Sequence, residues 1–363
     1  MATIADVKDR LKRFAAQEAT GSPLYQHLAA HAAEDDDVAA LLTAAPDRFA
    51  HPTLLLAAAH RALYAEPFNE LFNYYPSVGG SYGVDAGTWP MWRSFVLERA
   101  DKIRDLIATR STQTNEVRRA AVVYPAVALA AKQAKAPIGL LEVGCSAGLL
   151  LNLDRYGYRY QTEQGQIAVG PAKSPLGLHC ALMGSPALPK KLPVAARVGL
   201  DRAPVDLGDE DAAAWVEACI WADQPERQRL FGTAAALQRK DPPELVAGDA
   251  VADLAAAADR VPADVPLVLL TSHVLVYLPE DVREAFVAEV AALAARRPLW
   301  WVSNEAYSAT MERFLPGRTE LSSAGGEDFF TVVGLIRWDG DSSPTATALG
   351  LGAPHGERLE WLV

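Results

Sequence analysis

The chain of 363 residues is half hydrophobic, enough to bury a sizeable core, and its length suits about two or three domains. A net charge of −11 without a cluster of lysine and arginine argues against DNA or RNA as a partner and favours a small-molecule substrate. No run approaches the roughly 18 uninterrupted apolar residues of a membrane span, and the first segment, "MATIADVKDRLKRF", has scattered charges and no apolar leader core, so a cytoplasmic protein away from membranes is expected.

From Ala2 to about Lys132 apolar residues recur at helical spacing, as in "IADVKDRLKRFAAQEA", "HPTLLLAAAHRAL" and "RRAAVVYPAVALAAKQA", and no convincing period-2 strand interrupts them. The pattern predicts an all-helical N-terminal domain, residues 1–132, acting as a cap on the C-terminal domain. Its interruption, "NELFNYYPSVGGSYGVDAGTWP" within 68–90, reads as a long ordered loop, either a lid or an interface.

After Pro137 the texture changes. "IGLLEVG", "PVAARVGLD", "PELVAGDA", "PLVLLTSHV", "PLWWVSNEA" and "FFTVVGLIRW" read as strands, most of them separated by helical stretches such as "PEDVREAFVAEVAALAARR". Such alternation implies right-handed crossovers and an α/β fold, a mainly parallel sheet covered on both faces, over residues 133–363. "FFTVVGLIRW" and "TATALGLG", with its continuation to "ERLEWLV", lack a long helix between them and predict an antiparallel C-terminal hairpin closing the sheet.

Cys145, Cys180 and Cys219 are widely spaced and form no C-x-x-C pair. No His, Cys and carboxylate grouping has ligand spacing, so reduced thiols and no metal are expected.

"LLEVGCSAGLLLN" admits two readings. Gly144-Cys145-Ser146-Ala147-Gly148 matches G-x-S-x-G, the elbow of a serine hydrolase, with Asp249 and His355 available as acid and base. It equally matches a glycine turn after the first strand, where a nucleotide-like ligand meets closely approaching backbone. A hydrolase elbow follows several strands, whereas here the preceding region is helical, which favours the nucleotide turn. The spacing departs from G-x-G-x-x-G, disfavouring NAD.

"LLEVGCSAG" resembles the first motif of class I S-adenosylmethionine (SAM) dependent methyltransferases, with Ser146 where a glycine is usual. More narrowly, "TQTNEVRRA", "LLEVGCSAGLLLNLDRYGY", "GLDRAPVDL" and "ACIWADQPERQRL" resemble an uncharacterised actinobacterial domain-of-unknown-function family, along nearly the whole chain. The methyltransferase resemblance covers Ala136 to Val363 and implies a Rossmann-like seven-stranded sheet with SAM as cofactor. It implies that Glu142 and the Gly144, Cys145, Ser146 and Gly148 backbone contact the amino acid part of SAM. Asp201, ending "VGLD", would bond the ribose and Asp249 the adenine, with Asp249 equally readable as a helix cap. Placing Asp201 there makes about 157–195 an insertion, a small hairpin with a loop near the site.

Ser272 and His273 end "PLVLLTS" beside the expected methyl position. His273 is the candidate general base, its usual pKa near 6.5 suiting proton abstraction, although a core-edge histidine bonded to a carbonyl reads the same way. Candidate substrate contacts are Asn304 and Glu305, ending "WWVSNE", the polar cluster with Gln113, Asn115 and Glu116, and a possible lid of Trp221, Asp223 and Gln224. The implied reaction is methyl transfer to a small molecule. The alternatives are a serine esterase using Ser146, a SAM-binding protein of other activity, and a scaffold binding no cofactor.

Overall fold

The structure, a computed structural model, describes residues 2–323, 329–338 and 343–363. The chain folds as two compact units: a helical unit of residues 1–115 and 208–232, and a sheet unit of residues 116–207 and 233–363.

In the helical unit, α1 (Ile4–Arg13), α2 (Pro23–Ala32), α3 (Asp36–Leu42), α4 (Pro52–Leu63), α5 (Thr88–Glu98) and α6 (Ala100–Thr109) follow one another. Their starts are written in the sequence. Thr3 and Asp6 form a reciprocal capping box on α1, while Ser22 caps α2 with Pro23 in its first turn. Their apolar stripes meet in one core that includes Leu11, Leu28, Leu55 and Trp92. The "NELFNYYPSVGG" segment is not bare loop. It winds into 3-10 turns at Glu70–Tyr74 and Pro76–Val78, and Tyr75 is buried with its hydroxyl accepting from Trp92 Nε1 at 2.9 Å.

Next comes α7 (Arg119–Ala134), which belongs to the sheet unit, so the division falls at 115/116 and not at 132/133. The chain later returns to the helical unit through α8 (Glu210–Ala218) and leaves it within α9 (Pro225–Gln238). α7 is buried at twelve of its positions, too many for a surface cap and the mark of a helix enclosed by other elements.

The sheet unit holds β1 (Ile138–Val143), β2 (Gly157–Thr162), β3 (Gly165–Val169), β4 (Gly177–Met183), β5 (Val194–Asp201), β6 (Glu244–Ala247), β7 (Leu267–Ser272), β8 (Leu299–Glu305), β9 (Thr331–Arg337), β10 (Thr345–Gly352) and β11 (Arg358–Trp361). They form one sheet in the order β3-β2-β4-β11-β10-β9-β8-β7-β1-β5-β6, eleven strands where seven were expected. Five of them, β6-β5-β1-β7-β8, are mutually parallel, with α10 (Leu254–Ala258) and α11 (Glu280–Ala294) in the crossovers. β1, β7 and β8 are buried along their whole lengths, as parallel strands covered on both faces must be.

β9 and β10 form the expected antiparallel pair, but they do not close the sheet, and the residues joining them at 339–342 lie outside the described ones. β10 pairs with β11, and β11 pairs with β4 of the insertion. The small hairpin expected in the insertion is present as β2–β3, and it belongs to the sheet. That hairpin and strand β4 extend the sheet beyond β11, and Tyr160 of β2 reaches back to donate to the Ala121 carbonyl on α7. No helix among the described residues is long and apolar enough to cross a membrane.

Candidate functional site

Strand order locates the site. β1 connects outward through β5 and β6 on one side, while β7 and β8 lie on the other, so the order reverses beside β1. In open α/β sheets the carboxyl ends of strands at such a reversal form the ligand crevice.

At the carboxyl end of β1 the chain enters a turn in which Gly144, Ser146 and Gly148 take left-handed φ angles of +74°, +51° and +71°. Glycine does this freely, whereas a serine there costs on the order of 1–2 kcal/mol. Neighbouring groups hold the turn. The Ser146 amide donates to Asp201 Oδ2 at 2.8 Å, the Val205 amide to the Ser146 carbonyl at 3.0 Å, and Gln238 Nε2 to the Ala147 carbonyl at 2.6 Å. Asp201 Oδ1 also accepts from the Ala203 amide at 2.8 Å. The aspartate that ends β5 is thus fastened to the glycine turn itself.

The glycines serve close packing as well. A Cβ on Gly144 would overlap the Val274 side chain, and one on Gly199 would overlap Cys145, whose thiol is buried and pushed well above its ordinary pKa, first by burial and then by Glu142 and Asp201. Past Gly148 the chain forms a 3-10 helix, Leu149–Arg155, interrupted at Asn152, whose side chain donates to Gln238.

Around this turn lies a buried polar layer. His273, directly after β7, is left-handed at φ +55°, its amide donating to the Asn304 carbonyl. Asn304 Nδ2 donates to Ser272 Oγ at 3.0 Å and its Oδ1 accepts from Thr331 at 2.6 Å, so Asn304 and Ser272 tie β7, β8 and β9 together. Glu305 is 1% exposed, and its Oε1 accepts the Val274 amide at 3.0 Å. Val274 therefore touches both sides of the site, its amide on Glu305 and its side chain against Gly144.

Arg119, in the first turn of α7, acts electrostatically on Glu142, Glu305 and His273 alike, and its Nε donates to the Pro354 carbonyl at 2.8 Å. Glu116 is buried, accepts the Arg118 amide at 3.1 Å, and has His355 Nδ1 3.8 Å away.

Burial dominates the proton affinities here. It raises Glu142 well above the carboxylate range, with Asp201 adding to the rise and Arg119 opposing it. Burial likewise carries Glu305 up to about 7, against the pull of the amides of Val274, Leu275 and Val276 and of Arg119. His273 is pushed down to about 2 by burial, then by Arg119 and His355. It is a neutral imidazole throughout the physiological range, a poorer base than its ordinary pKa implies.

Glu305 provides a stability test. A carboxyl whose folded-state pKa lies above its unfolded value contributes fully below the unfolded value and loses that contribution as pH rises towards the folded one. Wild type is thus expected to lose stability between about pH 4.5 and 7 relative to Glu305→Gln, measured as the difference in urea midpoint across that range. Parallel curves would exclude the raised carboxyl.

The remaining sequence candidates are placed differently. Asp249, after β6, caps the next turn by accepting from the Val251 and Ala252 amides, which is its local-cap reading, and lies 3.9 Å from Arg202. The acid of the hydrolase trio is therefore held in its own turn, two strands from β1. Gln113 and Asn115 belong to the helical unit and Glu116 to the sheet unit, and the Gln113 backbone hydrogen-bonds the Cys219 thiol. Trp221 packs within the helical unit against Phe14 and Tyr25 at ring distances of 5.7 and 5.6 Å. Asp223 accepts from Ser22 Oγ at 2.7 Å and from the Leu24 amide at 3.1 Å, fastening the start of α2, while Gln224 accepts from Arg227. These three are anchoring groups, not a free lid.

Arg119, Gln238 and Val274 went unrecognised in the sequence. Only Arg119 left a signal, the adjacent basic pair in "NEVRRA".

Glu142, two residues before the turn, is buried, and among the described residues its Oε2 has no hydrogen-bond partner. Asp201, half-buried and accepting from two amides among the described residues, keeps acceptor capacity for a further donor.

Comparison with curated proteins returns no match. The model of a family described as an uncharacterized protein conserved in bacteria (DUF2332) matches residues 8–361, nearly the whole chain, and the protein belongs to that family.

Proposed function

We propose that the sheet unit is a Rossmann-like, SAM-dependent methyltransferase domain acting on a small-molecule acceptor. One observation carries the reading. Among the described residues only three other than glycine take a left-handed φ, and two of them, Ser146 and His273, stand at the carboxyl ends of β1 and β7, where the strand order reverses. Strained backbone of this kind persists where surrounding structure enforces it, and it concentrates at ligand sites.

When bound, SAM supplies an electrophilic methyl on a sulfonium. The residues of this chain do the positioning. Glu142 would meet the ligand's ammonium, which would draw the buried carboxyl into its ionised form. The backbone of Gly144 to Gly148 would lie along the amino acid part, and Asp201 would accept from the ribose. Ser272 and Asn304 hold the end of β7 in register with β8, and the neutral His273 orients the nucleophile by a hydrogen bond. The layer around them excludes water, which aligns the two reactants and protects the methyl from hydrolysis.

Thermal denaturation with S-adenosylhomocysteine and, separately, with NAD tests the reading. At about 100 times Kd the first should add about 2.7 kcal/mol of stability, and NAD none. A shift with NAD alone, or with neither, would contradict the proposal.

A further inference from the structure

Lys135, at φ +57°, is the third of the non-glycine residues in the left-handed region, and it stands just before β1, at the opposite end of that strand from Ser146. It follows the last residue of α7, a position that glycine or asparagine usually fills, and its amide donates to the Ala131 carbonyl at 3.1 Å. Left-handed backbone outside glycine marks places where the surrounding structure enforces it, often at ligand sites. Lys135 does line a cavity. Together with Lys132 and Lys191 it surrounds a space of about 370 Å³ between the end of α7 and the segment that leads into β5.

The rest of the wall is apolar, with Pro189 and Leu192 on the side of the β5 segment. Hydrogen bonds hold that wall in place. Tyr124 of α7 donates to the Pro189 carbonyl at 2.6 Å, the Ile138 amide to the Pro193 carbonyl at 3.0 Å, and Trp300 Nε1 to Gln133 Oε1 at 2.9 Å. A concave site of this volume on fixed elements suits a small molecule.

None of the lining residues is acidic, and among the described residues no carboxylate pairs with any of the three lysines. Elsewhere this acidic chain matches its cations with acids: Lys8 and Lys12 pair with Asp36 and Glu34 at 2.6 and 3.5 Å, and Arg155 and Arg197 pair with Asp241 and Asp154. The negative end of the α7 dipole accounts for a cation in its last turn, Lys132. It does not account for Lys191, which the chain brings back just before β5. Exposed ammonium groups at the rim of an apolar wall, with no counter-charge of their own, present complementary charge to an anion.

We infer that this cavity is a second ligand site of the sheet unit and takes a small amphipathic anion, an apolar chain or ring carrying a carboxylate or phosphate group. Lysines act as point charges on flexible stems and accept either anionic group, while the apolar wall favours an organic ligand over a bare inorganic ion. The site lies at the amino end of β1, away from the glycine turn at its carboxyl end, so it is independent of the methyltransferase reading.

The test is calorimetric titration of the full chain with octanoate, benzoate and phenyl phosphate, with octanamide and benzamide as uncharged counterparts, with inorganic phosphate, and with vesicles of mixed phosphatidylcholine and phosphatidylserine. The variants are the double replacement Lys132→Gln with Lys191→Gln, then Lys135→Gly, which keeps the left-handed turn while removing the charge, and Lys102→Gln, an outlying control in the helical unit. At least one of the three amphipathic anions should bind wild type with Kd below about 1 mM, and the amides and inorganic phosphate at least about tenfold more weakly. The double replacement should weaken the anion at least about tenfold, Lys135→Gly about threefold, and Lys102→Gln not at all. The tighter arm, carboxylate or phosphate, then identifies the anionic group. Amides binding as tightly as their acids would overturn the inference, as would inorganic phosphate matching phenyl phosphate, or anion binding indifferent to the double replacement. Binding to the vesicles without binding of the small anions would assign the lysines to a membrane surface and overturn it too, and so would no binding of any probe.

Discussion

Gly356→Ala is expected to cost the sheet unit about 2–5 kcal/mol, the sum of a left-handed penalty of about 1–2 and overpacking of about 1–3 kcal/mol. Gly356 sits at φ +82°, and a Cβ there would overlap the carbonyl of Arg118 and come within 2.6 Å of the Arg119 nitrogen. Both contacts are backbone at the start of α7, so relief requires moving the helix that delivers Arg119 to the site. Gly165→Ala is the matched control: Gly165 has φ +122° with nothing within 4 Å of its added Cβ, so it carries the conformational cost without the overlap. Urea unfolding of both variants checks this. Equal midpoints would mean that the approach to Arg118 is not limiting.

Asp201→Ala should have the next largest effect, on stability and on ligand binding together. Its carboxylate accepts two backbone amides, one of them from left-handed Ser146. Removing it takes the charged acceptor from two backbone amides and leaves the turn to its bonds with Val205 and Gln238, a loss of about 2–3 kcal/mol for charge-assisted bonds of this kind. Affinity for S-adenosylhomocysteine should fall by at least about tenfold, or 1.4 kcal/mol, since turn and ribose contact would be lost at once. Asp201→Asn keeps one acceptor oxygen and should lie between wild type and Asp201→Ala in the same urea and calorimetric measurements. An Asp201→Ala protein with unaltered stability would remove the aspartate from the architecture of the turn.

The sequence was most legible where burial is uniform. β1, β7 and β8 are short, wholly buried apolar runs bounded by turn residues, and the ends at Ser272 and Glu305 could be read from those runs. A hairpin was legible in the insertion but its place in the main sheet was not, although the buried positions alternate, at Tyr158 and Tyr160 in β2 and at Leu178, Cys180 and Leu182 in β4. Alternation marks a strand without naming its partner, and the pairing of β4 with β11 joins residues far apart in the chain. The domain boundary was displaced for a related reason. The periodicity of α7 is like that of the helices before it, and only its enclosure assigns it to the sheet unit.

The site divides the same way. Residues that end strands were found from position, while Arg119 enters from a helix and Gln238 from the end of α9, placements that depend on tertiary packing. The environment of His273 was equally invisible. Its place after β7 could be read, but the burial that lowers its basicity and the raised proton affinity of Glu305 arise only once the strands are assembled.

The most direct test of the central claim is isothermal titration of the full chain with S-adenosylhomocysteine beside Glu142→Ala. The account predicts micromolar binding to wild type, about −8 kcal/mol, lost in the variant. Absence of binding to wild type at high protein concentration would contradict it.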